Sequence, residues 1–179
     1  MIWKTSLFKR AKKGDGEAFV TLIKDYENVL YGTAKRILIN EADVQDVMQT
    51  TILIAYEKMS TVKKEEYFNT WLYRILINEC YRLIKQNNRE NNIIYLEESY
   101  QNDLSEMELE DLLGSMSDKY RVPLILFYYS KYSLKDISII LDLPLNTVKT
   151  RLSRGKQLLK AKLLKEGGSD NEQDEQTRL

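Results

Sequence analysis

The strongest constraint on this chain lies between Ser133 and Lys165, which reads SLKDISIILDLPLNTVKTRLSRGKQLLKAKLLK. A short amphipathic helix, a turn marked by Pro144 and a second, longer helix follow one another. From Leu145 to Lys165 there are seven Lys or Arg and no acid, although 27 basic and 27 acidic residues balance over the whole chain. The positive charge is therefore gathered on one element. Those parts compose a helix-turn-helix, whose second helix enters the DNA major groove.

At 100° per residue the second helix sorts into sectors. Val148, Leu152, Gly155 and Leu159 share a face that must pack inward, and Gly155 there permits close approach of a neighbouring helix. Opposite lie Asn146, Thr147, Thr150, Ser153, Arg154 and Gln157, which carry groups able to bond base edges or phosphates. Lys149 and Lys156 flank one side and Arg151 the other, positions suited to phosphate clamps. Leu134, Ile137 and Leu141 form the buried stripe of the first helix, and Asp142–Pro144 the turn. A solvated basic helix on an ordinary bundle is the plain alternative. Turn spacing, sorted faces and the absence of acids favour DNA.

Upstream, the periodic Leu/Ile/Lys/Glu segments, with few Gly and Pro, predict an all-α chain. Asp15 is the expected N-cap of a helix running to Leu38, with Ala18, Phe19, Leu22 and Ile23 opening its apolar stripe. Asn40 is the expected cap of the next helix, with Asp43 completing a partial capping box. The polar stretch STVKKEEYFN separates that helix from one spanning Asn69–Lys85. Between Glu90 and Asp111 stand eight Asp or Glu and no Lys or Arg, which reads as an acidic flexible linker. The predicted organisation is two small helical domains, 1–90 and 108–165. The linker, 91–107, joins them, and a disordered tail, 166–179, follows.

Other residue counts exclude function classes. With no His and one Cys, Ser-His-Asp and Cys-His catalysis, His metal sites and disulfide frameworks are all ruled out. No glycine-rich phosphate loop is present. The reading is a non-enzyme with no cofactor and no metal. No apolar run reaches membrane-spanning length and no signal-peptide core follows the basic start, so the expected location is the cytoplasm.

The helix Asn69–Lys85 carries a second surface. Arg74, Asn78, Tyr81, Arg82 and Lys85 recur on one stripe, with Leu72, Ile75, Leu76 and Leu83 on the core side. Tyr67, Phe68 and Trp71 lead into it. Rings beside cations suit single-stranded nucleic acid, because bases stack on the rings while cations hold phosphates. The alternative for Phe68 and Trp71 is a place in the core. Cys80, between the faces, reads as a small buried hydrophobe.

Five segments together resemble bacterial sigma factors of the extracytoplasmic-function (ECF) group of the sigma-70 family. They are GDGEAF (14–19), DVQDVMQTTILIAY (43–56), FNTWLYRILIN (68–78), KYRVPLILFYY (119–129) and YSLKDISIILDLPLNTVKTRLSRGKQLL (132–159). The resemblance implies a first domain that binds core RNA polymerase and opens the promoter minus-ten element. It implies a second that reads the minus-thirty-five element as duplex, with the acidic linker threading toward the RNA exit path. By position, Asp43, Asp46, Gln49 and Leu53 fall on the polymerase-binding helix. The loop Thr61–Asn69 matches the segment that captures a flipped base, and Asn78 the minus-ten surface. Lys149, Thr150, Ser153 and Arg154 match minus-thirty-five readers. The family commonly has Glu at the position of Thr50 and a basic residue at that of Ile54, departures that bear on the polymerase contact. Ser153 is smaller than residues often found there, so promoter preference does not transfer.

Three readings compete. The leading one is a sigma factor that binds core polymerase and promoter DNA, with an anti-sigma factor as a further partner and no direct membrane insertion. The second is a stand-alone helix-turn-helix regulator, which would not need the aromatic lead-in. The third is a helical interaction protein with an acidic partner.

Overall fold

The computed structural model describes residues 2–38, 40–90 and 112–166. The expected linker and tail fall outside these residues, apart from Glu166. Seven helices carry the fold: α1 (Ile2–Lys12), α2 (Gly16–Ile37), α3 (Glu41–Lys58), α4 (Phe68–Glu90), α5 (Asp118–Leu124), α6 (Leu134–Leu141) and α7 (Leu145–Glu166). There is no strand among the described residues.

Local chemistry sets the boundaries. Gly14 takes φ of 94°, a turn closed to most side chains, and frees Asp15 to cap α2. The Asp15 carboxylate accepts from the Ala18 N–H at 3.0 Å and from Arg10 at 2.7 Å. Those two donors, the backbone first, hold its pKa below the ordinary carboxylate value. Asn40 caps α3 by accepting from the Ala42 N–H at 2.8 Å. The expected capping box is corrected here. Asp43 instead accepts from Asn87 of α4 at 3.0 Å, because a tertiary partner is within reach. The polar stretch after α3 makes two short 3-10 turns, Met59–Thr61 and Glu65–Tyr67. Helix α1 was not foreseen. Its Phe8 and Ala11 bury against the α2–α4 core while its basic residues face outward.

The helix-turn-helix forms as the sequence predicts. Ser133 and Asp136 build a reciprocal capping box at the start of α6. Asp142 ends that helix in the left-handed region at φ of 53°, a conformation Asp tolerates better than most residues. Ile137, Ile140, Val148 and Leu152 bury between the two helices. Ile140 joins the expected stripe, while Leu134 and Leu141 lie only partly covered. A Cβ on Gly155 would stand 3.0 Å from Leu124 Cδ1, so this glycine does bring α7 close to α5. Arg121 is buried at the base of this half, paired with Asp118 and donating to the Gly114 carbonyl at 3.3 Å.

Helix α4 organises the molecule because it is covered on two sides. Leu72 and Leu76, both fully buried, join Leu30, Ile37 and Val47 in the first-half core. Tyr73, Ile77 and Cys80 form a second buried stripe, and α4 also packs on α6. Cys80 is wholly enclosed, as expected, and burial pushes its thiol pKa up to about 12. Replacing Leu72 by Ala should therefore cost about 2–5 kcal/mol, from lost transfer energy plus a cavity. Urea unfolding checks this through a lower midpoint at unchanged slope. A midpoint like that of the wild type would remove α4 from the core.

Candidate nucleic-acid interface

Helix α7 presents the face that the angle sorting isolates. Asn146, Lys149, Thr150, Ser153, Arg154, Lys156 and Gln157 are exposed, and Thr147 is half-covered. Val148, Leu152 and Gly155 are buried behind them. The Thr150 hydroxyl donates to the Asn146 carbonyl at 2.9 Å, leaving its lone pairs outward. Arg154 stands beside Tyr120, whose phenol pKa is lowered by Lys119 and then by Arg154. Arg151 behaves differently from the other flanking cations. It is half-buried and faces Tyr81 of α4.

The polar and aromatic surface on α4 is less uniform than the stripe suggests. Asn78, Arg82 and Lys85 are exposed. Arg82 is held by Glu79 one turn back at 2.7 Å. Tyr81 is half-buried, and burial, reinforced by Asp118, pushes its phenol pKa up to about 12. Arg74 pairs across the molecule with Asp142 at 3.1 Å.

The aromatic lead-in divides into anchor and display. Phe68 is 2% exposed and meets Phe8 and Tyr26 edge-on at 6.0 and 5.4 Å. It belongs to the core, and the expectation that it stacks on a base is corrected. Trp71 is half-buried, 5.8 Å from Phe68 between ring centroids. Tyr67 is 48% exposed, with the Lys64 ammonium 5.7 Å from its ring. Met59 and Val62, both buried, pin the preceding loop so that Lys63, Lys64 and Tyr67 project.

On α3, Asp46, Gln49 and Leu53 line one exposed ridge, with Asp43 half-buried at its start. Beside the ridge an open groove runs between α2 and α3, lined in part by Val20, Gln49, Leu53 and Tyr56. Thr50 and Ile54 are both half-buried. Sequence reasoning missed a set of residues that joins the two halves of the chain. Tyr132 donates to Asn69 Oδ1 at 2.6 Å, and the Thr33 and Ser130 hydroxyls meet at 3.0 Å. The Arg36 guanidinium lies 3.8 Å over the Tyr129 ring. A glycine inside a helix, Gly32, was the one signal that could have pointed there.

Among the described residues no group of His, Cys, Asp and Glu could hold a metal ion. Among those residues, too, no helix is long and apolar enough to cross a membrane.

Comparison with known proteins agrees with this arrangement. The Sigma-70 region 2 family model matches residues 22–90. The Sigma-70, region 4 family model matches residues 106–159. The ECF RNA polymerase sigma factor SigW of Bacillus subtilis is 30% identical, over 87% of this chain and 94% of its own length. The ECF RNA polymerase sigma-E factor of Haemophilus influenzae is 28% identical, over 88% of this chain and 94% of its own. The sigma factor RpoE of Bartonella quintana, solved with the anti-sigma factor NepR, superposes with a TM-score of 0.72 at 24% identity. That match covers 82% of this chain and 96% of the other, and it shows a shared fold. With both sigma-70 regions in order, and a relative matched over most of each chain, this protein belongs to the ECF RNA polymerase sigma factors.

Proposed function

We propose that this chain directs core RNA polymerase to promoter DNA and opens the duplex there, acting by binding rather than by chemistry of its own. The observation that carries this reading is the pairing of two unlike nucleic-acid surfaces in one chain. An outward basic face on α7 fits a duplex groove, and an aromatic and basic surface on α4 fits unstacked bases. A stand-alone duplex regulator has no use for the second.

Residues 1–90 take the polymerase and the minus-ten element, and 108–165 the minus-thirty-five element. Asp46, Gln49 and Leu53 supply the exposed polymerase ridge, and Asp43 begins it. In the loop, Tyr67 offers the accessible ring, while Trp71 has one edge packed and the other free. Asn78, Arg82 and Lys85 follow the strand. On α7, Thr150, Ser153 and Arg154 read base edges, supported by Asn146 and Thr147. Lys149 and Lys156 hold phosphates. Arg151 is the weakest of the expected clamps because it is already half-buried. An anti-sigma factor is the expected inhibitory partner, as RpoE was solved with one. The place of work is the cytoplasm, where core polymerase is.

Run-off transcription with purified core polymerase and a library of genomic promoters tests the function directly. Initiation at a subset of them is expected, and silence on every promoter from a folded chain would overturn the reading. Arg154→Ala should lower discrimination at one base pair by roughly 1–3 kcal/mol, read by comparing substituted minus-thirty-five duplexes. An equal loss on all sequences would assign Arg154 to phosphate. Lys156→Ala should weaken all sequences alike and reduce the salt slope by about one unit. Tyr67→Ala should cost promoter opening roughly 1–3 kcal/mol, the worth of one stacked base, with duplex binding unchanged. Permanganate footprinting of the melted segment separates the two effects, and normal melting would remove Tyr67 from the surface.

A further inference from the structure

The loop that displays Tyr67 is short of the charge that its task needs. A strand whose base stacks on a ring needs cations beside that ring for its phosphates. Within residues 61–69 the two cations, Lys63 and Lys64, are followed at once by Glu65 and Glu66, so the loop carries no net charge. Lys64 pairs with Glu66 at 3.4 Å. On α4, Arg82 is held by Glu79 and Arg74 by Asp142.

Helix α1 carries the missing charge. Residues 1–13 hold five Lys or Arg and no Asp or Glu, the same one-sided composition as α7 in a chain whose total charge is zero. The helix packs on α2 and on the 3-10 turn Met59–Thr61, from which the loop departs. Phe8 of α1 meets Phe68 at 6.0 Å between ring centroids. Lys9 follows Phe8 in the chain and Tyr67 precedes Phe68, so the cations and the displayed ring flank one aromatic contact. Arg10 is committed to Asp15 at 2.7 Å, and Lys12 is half-buried. Lys9 and Lys13 are exposed, and a spacing of four puts them on one face. Neither has an ion-pair partner among the described residues.

A plain account of these cations is the helix dipole, which favours positive charge at a C-terminus and negative charge at an N-terminus. It explains half of the pattern. The first turn of α1, where the dipole favours an acid, has none.

We propose that α1 is a third nucleic-acid contact, in which Lys9 and Lys13 hold backbone phosphates of the promoter strand whose base stacks on Tyr67. The identity of that strand rests on the sigma reading above. The loop supplies the ring and α1 supplies the charge, which explains how a neutral loop engages a polyanion.

Forked promoter DNA tests this, with the minus-ten segment of the non-template strand left single-stranded. It is bound by the complex of the full chain with core polymerase, at a promoter where the wild type initiates. The double variant Lys9→Gln, Lys13→Gln removes two charges from exposed positions. Its salt slope on forked DNA should be smaller by about 1.4, at roughly 0.7 for each phosphate contact to a single strand. Its affinity at about 0.1 M salt should fall roughly fivefold or more. The double variant Lys9→Arg, Lys13→Arg keeps the charge and should keep the wild-type slope. A duplex carrying only the minus-thirty-five element should bind all three proteins alike.

Wild-type slope and affinity in the Gln variant would overturn the proposal. So would an equal loss on the minus-thirty-five duplex, which would reveal a diffuse field in place of a contact. Weaker binding of the Gln variant to core polymerase, with its DNA slope unchanged, would assign the face to polymerase and overturn the proposal as well. Silence of the wild type on every promoter would sink the sigma reading instead. In that case the free chain and a random-sequence single-stranded 10-mer DNA pool give the same comparison of slopes.

Discussion

Tyr73 donates its hydroxyl proton to the Val29 carbonyl at 3.3 Å while its ring meets Tyr132 edge-on. One side chain on α4 thereby ties together α2, α4 and the helix-turn-helix half. A phenol this deeply buried needs a partner for its hydroxyl, and desolvation of the charged form raises its pKa further. The Thr33 hydroxyl stands 3.4 Å away and continues to Ser130. The surroundings of this hydroxyl group fix how α2 and α4 lie, and so where Arg74, Asn78 and Tyr81 project.

Charge explains why the contact uses the turn and not the outward face of α7. Both candidate nucleic-acid surfaces are basic, and placed face to face they would repel. The fold instead presents Asp142, the acid that ends α6, to Arg74, while Thr150, Ser153, Arg154 and Lys156 stay in solvent. Arg151, by contrast, is half-buried and close enough to Tyr81 of α4 to act on its phenol. A net charge of zero over the chain conceals this sorting. The sorting matters more than the total, because screening limits each pair to about a Debye length, roughly 8 Å at physiological salt.

Much of this was legible in the sequence, and the exceptions have physical causes. Asp15, Asn40 and the Ser133 cap could be read because capping is local chemistry between a side chain and nearby N–H groups. The inward face of α7 could be read because helical period alone decides it. Helix α1 escaped because its basic residues are interleaved with its apolar ones and blunt the helical stripe. Asp43 was misassigned because Asn87, distant in sequence, competes for its carboxylate. Phe68 and Tyr67 are adjacent aromatics, and only tertiary packing decides which is enclosed and which displayed. The stripe of Tyr73, Ile77 and Cys80 was legible as apolar spacing. Its meaning, that α4 is covered from a second side, needs the partner that covers it. Tyr129 over Gly32 lies furthest from reach, since no local pattern joins positions so far apart in the chain.

The energies of the interface set how firmly the halves are held. Arg74 and Asp142 are 43% and 81% exposed, so solvent screens the pair and it contributes about 0–1 kcal/mol. Hydrogen bonds such as Tyr132 to Asn69 contribute about 0.5–1.5 kcal/mol net, and an edge-on aromatic pair about as much. The burial of Tyr132 adds to these. Each of these terms is small, so the contact between the halves depends on several of them together rather than on any one.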